Sequence, residues 1–139
     1  MNFIQNVSAI DFQNGKHFDP GDNSLAIQIC DPCGGIPVAK HVFKETHIFH
    51  FLDIEDGDEY AEDFGITDEQ ARELVQILQH AIENRMNVVV HCTAGVCRSG
   101  AVVEVGTLLG FTDPEVFRIP NMRVKSKMIK ELGWNYENS

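Results

Sequence analysis

The stretch His91-Cys92-Thr93-Ala94-Gly95-Val96-Cys97-Arg98-Ser99 decides the fold and the chemistry of this chain. The apolar run Val88–His91 precedes it and has the composition of a short buried strand. The run Ser99–Leu109 follows it, is apolar on nearly every side, and stops at Gly110, which predicts a buried helix. The stretch is therefore a loop between a strand and a helix, where open α/β sheets bind their ligands.

The rest of the chain predicts an α/β domain. A helix over Asp68–Asn84 begins with a capping box, in which Thr67 is followed by Gln70. Turn residues such as Asp31-Pro32 bound the short apolar segments. This order predicts one domain over residues 1–139, with three layers: a central, mainly parallel sheet flanked by helices. Further strands are predicted at Val7–Ile10, Ser24–Cys30 and His47–Leu52, and shorter helices at Asp113–Phe117 and Arg123–Leu132.

Composition excludes several classes of function. The formal net charge is −10, which argues against binding nucleic acid or anionic lipid, since both require clustered Lys and Arg. The chain has no apolar run long enough to span a bilayer and no signal-peptide pattern at its start, so we expect a soluble, cytoplasmic protein. We expect reduced thiols at all four cysteines, which are Cys30, Cys33, Cys92 and Cys97.

The loop residues have the chemistry of an anion site with a nucleophile. Successive backbone N–H groups can curl around an anion, Gly95 permits the backbone conformation that this requires, and the following helix directs its N-terminus at the same point. Arg98 can grip two phosphate oxygens with its planar fork. Cys92 faces this electropositive surrounding, which favours the thiolate form, and Ser99 can donate a hydrogen bond to the sulfur. The alternative is a chance grouping of a buried cysteine, a turn glycine and a capping arginine.

The spacing Cys92-x5-Arg98-Ser99 matches the His-Cys-x5-Arg-Ser/Thr signature of the protein tyrosine phosphatase superfamily. The string HCTAGVCRSG resembles the compact dual-specificity-type members, including short bacterial and phage proteins, and residues 120–124 resemble their PN-x-x-V element. The resemblance implies hydrolysis of phosphotyrosine, and also of phosphoserine and phosphothreonine, in a phosphorylated protein, without a metal or other cofactor. It implies that Cys92 is the nucleophile and Arg98 the phosphate clamp. The implied phosphate-binding loop consists of Thr93, Ala94, Gly95, Val96, Cys97, Arg98 and Ser99.

The general acid is less sharply defined by the sequence. The family uses an Asp on a movable loop that precedes the nucleophile, and three candidates follow the predicted strand His47–Leu52. Asp53 is our choice because it lies directly at the strand end, in a Phe-Leu-Asp string that resembles the family's Phe-x-Asp. Asp58 is second because its distance from Cys92 suits several relatives, and Asp56 is third.

Other functions stay open at this stage. An RNA 5′-triphosphatase or a sulfur transferase would use a similar cysteine loop, and a non-catalytic phosphate-binding module would lack the acid. The uncharged Thr93 and Val96 disfavour inositol phospholipids as substrates. Cys97 fills space in the loop or forms a protective disulfide with Cys92 on oxidation. Cys30 and Cys33 are turn cysteines, half of a zinc site or a redox pair, and the oligomeric state is undetermined.

Overall fold

Four parallel strands form the centre of the structure, a computed structural model that describes residues 2–133. The strand order is β1-β4-β2-β3, and each pairing between neighbours is parallel. The carboxyl ends of all the strands therefore lie along one edge of the sheet. The strands are β1 (Ile4–Ser8), β2 (Ser24–Cys30), β3 (Glu45–His50) and β4 (Asn87–Cys92).

Helices cover the sheet on both faces and complete the three predicted layers. Val88 and Val90 of β4 join the main core, to which α3, α4 and α5 contribute their apolar sides. Val89 points to the opposite face, where it packs with Phe12 of α1 and Ala26. This alternation is the period of two expected of a strand buried on both faces. The helices are α1 (Ala9–Asn14), α2 (Ala61–Phe64), α3 (Asp68–Glu83), α4 (Arg98–Leu109) and α5 (Met122–Glu131).

The two strongest helix predictions are confirmed. Helix α3 begins with the predicted capping box: the Thr67 hydroxyl accepts a hydrogen bond from the Gln70 backbone N–H, and the Gln70 side chain accepts one from the Thr67 N–H. Helix α4 is buried around most of its circumference and ends at Gly110, whose φ of 116° is left-handed. None of the helices within residues 2–133 has both the length and the apolar character needed to cross a membrane.

Two strand predictions were displaced along the chain. The strand predicted at Val7–Ile10 lies instead at Ile4–Ser8, because the Ser8 side chain accepts a hydrogen bond from the Asp11 N–H and starts α1 there. The strand predicted at His47–Leu52 lies at Glu45–His50.

The helix predicted at Asp113–Phe117 was wrong. The segment has no helix, and Glu115 has a φ of 56°. The Asp113 carboxylate accepts hydrogen bonds from the Glu115 N–H and from the Arg118 guanidinium. This side-chain-to-backbone bonding competes with helix formation. The last helix, predicted at Arg123–Leu132, begins one residue earlier because Asn121 caps it.

Candidate active site

The loop between β4 and α4 is shaped by the neighbouring strand β1. Gly95 has a φ of 74°, and a Cβ at this position would overlap the backbone of Val7 and Ser8. The side chain of Asn6 in β1 donates a hydrogen bond to the Gly95 carbonyl at 2.8 Å. A residue larger than glycine would therefore both strain the backbone and push the loop away from the sheet.

Cys92 lies at the end of β4, under the first turn of α4. Its side chain is buried, and its Sγ lies 3.1 Å from the Oγ of the fully buried Ser99. The pKa of His91 is lowered to about 4, mainly by burial and also by the nearby charge of Arg98. At neutral pH the imidazole is thus neutral, so the positive charge beside Cys92 comes from Arg98 and from the N-terminus of α4.

Arg98 is buried at the start of α4, and two side chains and one backbone carbonyl bind its guanidinium group. Its Nη1 donates to Asp31 Oδ1 at 2.7 Å and to the Phe51 carbonyl at 2.8 Å, and its Nη2 lies 3.1 Å from Thr93 Oγ1. Such a set of partners orients the planar fork of an arginine. From the sequence, Asp31 was predicted only as a turn residue; the signal that could have been used is that it directly follows the predicted strand Ser24–Cys30.

The three candidate acids lie in different surroundings. Asp53 is exposed, and its Oδ1 accepts a hydrogen bond from Asn121 at 2.7 Å. Asp53 also lies close to Cys97 in the phosphate loop. Burial is the main cause that raises the pKa of the Cys97 thiol, and the charge of Asp53 is the second cause. Asp56 is instead paired with Arg123 at 2.6 Å, and Asp58 accepts a hydrogen bond from the Tyr60 N–H. Of the three, Asp53 has the contacts to the loop region, while its role as the acid stays a prediction.

The first turn of α5 contacts residues 53–58, which carry the three candidate acids and are called the acid loop below. The Glu55 carboxylate accepts hydrogen bonds from the Met122 and Arg123 backbone N–H groups, both at 2.9 Å. The Arg123 side chain is buried, pairs with Asp56 and donates to the Ile66 carbonyl at 3.0 Å. This is the segment that resembles the PN-x-x-V element, so the element connects the loop before α2 to the helix after the site.

The remaining cysteines are free thiols in the structure. Cys30 is buried, Cys33 is exposed and Cys97 is half-buried. Burial raises the pKa of the Cys30 thiol, while the nearby Arg98 opposes this effect. Within residues 2–133, no group of three or more His, Cys, Asp or Glu side chains is arranged to hold a metal ion.

A groove of about 650 Å³ adjoins the outer side of the loop. Residues 94–96 form one wall, and the rings of Phe18 and Phe117 line it while remaining 61% and 71% exposed. Exposed aromatic rings beside a polar site are typical of surfaces that bind another molecule.

Comparison with known proteins agrees with this geometry. Residues 58–109, from the acid loop through α4, match the family model Tc-R-P, described as "Polymorphic toxin system, DSP-PTPase phosphatase". No curated protein matches the sequence significantly. The crystal structure of human DUSP28 superposes with a TM-score of 0.54 at 16% identity, covering 98% of this chain and 95% of that chain.

Two further solved structures share the fold. A mouse protein described as a dual specificity phosphatase, complexed with zinc tungstate, has a TM-score of 0.55 at 15% identity, covering 89% of this chain and 78% of that chain. Tk-PTP in its active form has a TM-score of 0.51 at 12% identity, covering 94% of this chain and 80% of that chain.

The family model matches fewer than half of the 139 residues, and it includes the Cys92-x5-Arg98 loop between β4 and α4. The solved structures share the parallel-sheet fold at 12–16% identity. The chain is thus similar to compact, dual-specificity-type phosphatases, the resemblance that its sequence motif suggested.

Proposed function

We propose that this protein is a cysteine-dependent protein phosphatase, which hydrolyses phosphotyrosine, and also phosphoserine and phosphothreonine, through a phosphocysteine on Cys92. The observation that carries the proposal is the buried Cys92 Sγ at 3.1 Å from Ser99 Oγ, directly before the helix that bears Arg98. A sulfur in this position is suited to in-line attack on a phosphate held by the loop.

The reaction has two steps, the formation of the phosphocysteine and its hydrolysis. In the first, the Cys92 thiolate attacks phosphorus, the phosphorus–oxygen ester bond breaks, and Asp53 gives its proton to the leaving oxygen. In the second, Asp53 takes a proton from water as the water oxygen attacks phosphorus, and the phosphorus–sulfur bond breaks. Ser99 donates a hydrogen bond to the departing thiolate, while Arg98 and the loop N–H groups stabilise the charge on the phosphate oxygens.

A protein substrate fits the surroundings of the loop. The groove beside residues 94–96, with its exposed Phe18 and Phe117 rings, offers apolar contacts to residues around a phosphorylated side chain. The net charge of −10 disfavours a nucleic acid or an anionic membrane as partner. Action in the cytoplasm is part of the same proposal.

The direct test is phosphate release from matched substrates in the presence of a metal chelator. We expect turnover of p-nitrophenyl phosphate and of peptides that carry phosphotyrosine, phosphoserine or phosphothreonine. A chain that releases phosphate only from 5′-triphosphorylated RNA would contradict the proposal in favour of an RNA triphosphatase. A chain that binds phosphopeptides without turnover would favour a non-catalytic module.

The acid assignment gives a separate prediction. We expect Asp53→Asn to lower kcat for phenyl phosphate by about 10²-fold or more, because the leaving oxygen then departs without a proton. Asp56→Asn and Asp58→Asn are matched controls, since their carboxylates bind Arg123 and the Tyr60 N–H, and we expect them to change kcat only a few-fold. A loss in Asp58→Asn that exceeds the loss in Asp53→Asn would transfer the role to Asp58.

A further inference from the structure

Asn121 is a buried residue that contacts three parts of the candidate site. Its backbone N–H donates to the carbonyl of Cys97, at the end of the phosphate loop, at 2.9 Å. Its side-chain Nδ2 donates to Asp53 Oδ1 at 2.7 Å and to the Ile54 carbonyl at 3.1 Å. Its Oδ1 accepts from the Val124 N–H at 2.9 Å and so caps α5. Through its backbone and its side chain, this one residue therefore connects the phosphate loop, the acid loop and the last helix.

The partners of the Asn121 amide fix which of its ends faces Asp53. The Val124 N–H can only donate, so it requires the amide oxygen, and the Ile54 carbonyl can only accept, so it requires the amide nitrogen. Exchanging the two ends would break both contacts. The atom that faces the Asp53 carboxylate is therefore a donor.

We propose that Asn121 is a positioning residue that aligns Asp53 with the phosphate loop and confines its acidic proton to Oδ2. An amide N–H cannot accept a hydrogen bond, so Asp53 Oδ1 is the acceptor both when the carboxyl is protonated and when it is ionised. The proton of the neutral acid then lies on Oδ2, the oxygen that Asn121 does not bind. This inference rests on the proposed phosphatase function and on Asp53 as its acid.

The acid loop has other contacts with α5 besides those of Asn121. The effect of Asn121 on Asp53 can therefore be separated from the folding of the acid loop. The Glu55 carboxylate binds the first two N–H groups of α5, and Asp56 pairs with the buried Arg123. Loss of the Asn121 Nδ2 group leaves these contacts in place. We therefore expect it to change the alignment of one carboxyl group and not to release the whole loop.

Asn121→Ser is the discriminating variant. Serine is as good an N-cap as asparagine, so its hydroxyl keeps an acceptor for Val124, but it lacks the amide N–H that reaches Asp53. We expect kcat for phenyl phosphate, whose leaving group needs protonation, to fall by about 10–100-fold. The rate with 2,4-dinitrophenyl phosphate, whose leaving group needs little protonation, should change only a few-fold. In an Asp53→Asn background, Asn121→Ser should have almost no further effect on either substrate.

Two controls keep the test independent of folding. Thr67→Ser makes a comparable change at the N-cap of α3, away from the site, and should leave both rates unchanged. Asn121→Asp keeps the cap and the shape but replaces the donor with an acceptor, so it should lose more phenyl phosphate activity than Asn121→Ser. Equal losses on the two substrates, or an undiminished loss in the Asp53→Asn background, would overturn the inference in a Cys92-dependent enzyme. Activity that survives Cys92→Ser would instead overturn the proposed function and this inference with it.

Discussion

Replacing Cys92 with serine is expected to reduce turnover of p-nitrophenyl phosphate by about 10⁴-fold or more. A serine hydroxyl is a weak nucleophile unless a base removes its proton, and the side-chain partner that the structure gives Cys92 within residues 2–133 is a hydroxyl, not a base. The Ser99 Oγ lies 3.1 Å from the Cys92 Sγ, and the Nε2 of the neighbouring His91 lies 3.1 Å from the Gln28 Oε1 on β2. The measurement is the steady-state rate of wild type and variant at equal, verified folded concentration.

Cys97→Ser is the matched control, because it makes the same chemical change at a half-buried thiol five residues along the loop. We expect it to retain most of the activity. We also expect Cys92→Ser to bind phosphopeptide without turning it over, since Arg98 and the loop N–H groups are unchanged. If Cys92→Ser kept activity close to wild type while Cys97→Ser lost it, the assignment of the nucleophile would be wrong.

The second largest effect is expected for Arg98→Lys, at about 10³-fold or more in kcat/KM. A lysine keeps the charge but presents a single ammonium group, whereas the guanidinium can bind Asp31 and Phe51 through Nη1 and still offer N–H groups to a phosphate. An ammonium held by the same two acceptors would be drawn away from the loop. The loss should therefore appear both in turnover and in the affinity for inorganic phosphate as an inhibitor.

Asp31→Asn tests the orientation of the Arg98 guanidinium group while its charge is kept. The Asp31 side chain is 46% exposed, so its removal should cost little stability while it loosens one partner of Arg98. We expect a loss of roughly 10-fold in kcat/KM, well below that of Arg98→Lys. An Arg98→Lys enzyme within a few-fold of wild type would show that the fork geometry of Arg98 is not required.

The parts of the site that are local in sequence were predictable. The strand before Cys92, the loop, and the helix beginning at Arg98 are contiguous, and each is marked by its own composition or by Gly95 and Gly110. The capping box at Thr67 was visible for the same reason. By contrast, the predicted helix at Asp113–Phe117 was wrong because one carboxylate, that of Asp113, binds its own backbone and Arg118.

The partners that come from distant segments were not predictable. Asp31 meets Arg98 because β2 lies beside β4, and the strand order is not encoded in any single segment. Asp53, Asp56 and Asp58 were ranked by their places in the sequence and by resemblance to the family, since their contacts depend on how the start of α5 docks. That docking, through Asn121 and its neighbours, places one of the three carboxylates beside the phosphate loop.

The most direct measurement is to trap the covalent intermediate. The Asp53→Asn enzyme, whose second step lacks its base, is mixed with p-nitrophenyl phosphate, quenched in acid and analysed as peptides by mass spectrometry. The account predicts one added phosphoryl group on the peptide that contains Cys92, localised to that sulfur and absent from Cys92→Ser. A phosphoryl group on any other residue, or rapid turnover with no phosphorylated peptide in repeated early quenches, would contradict it.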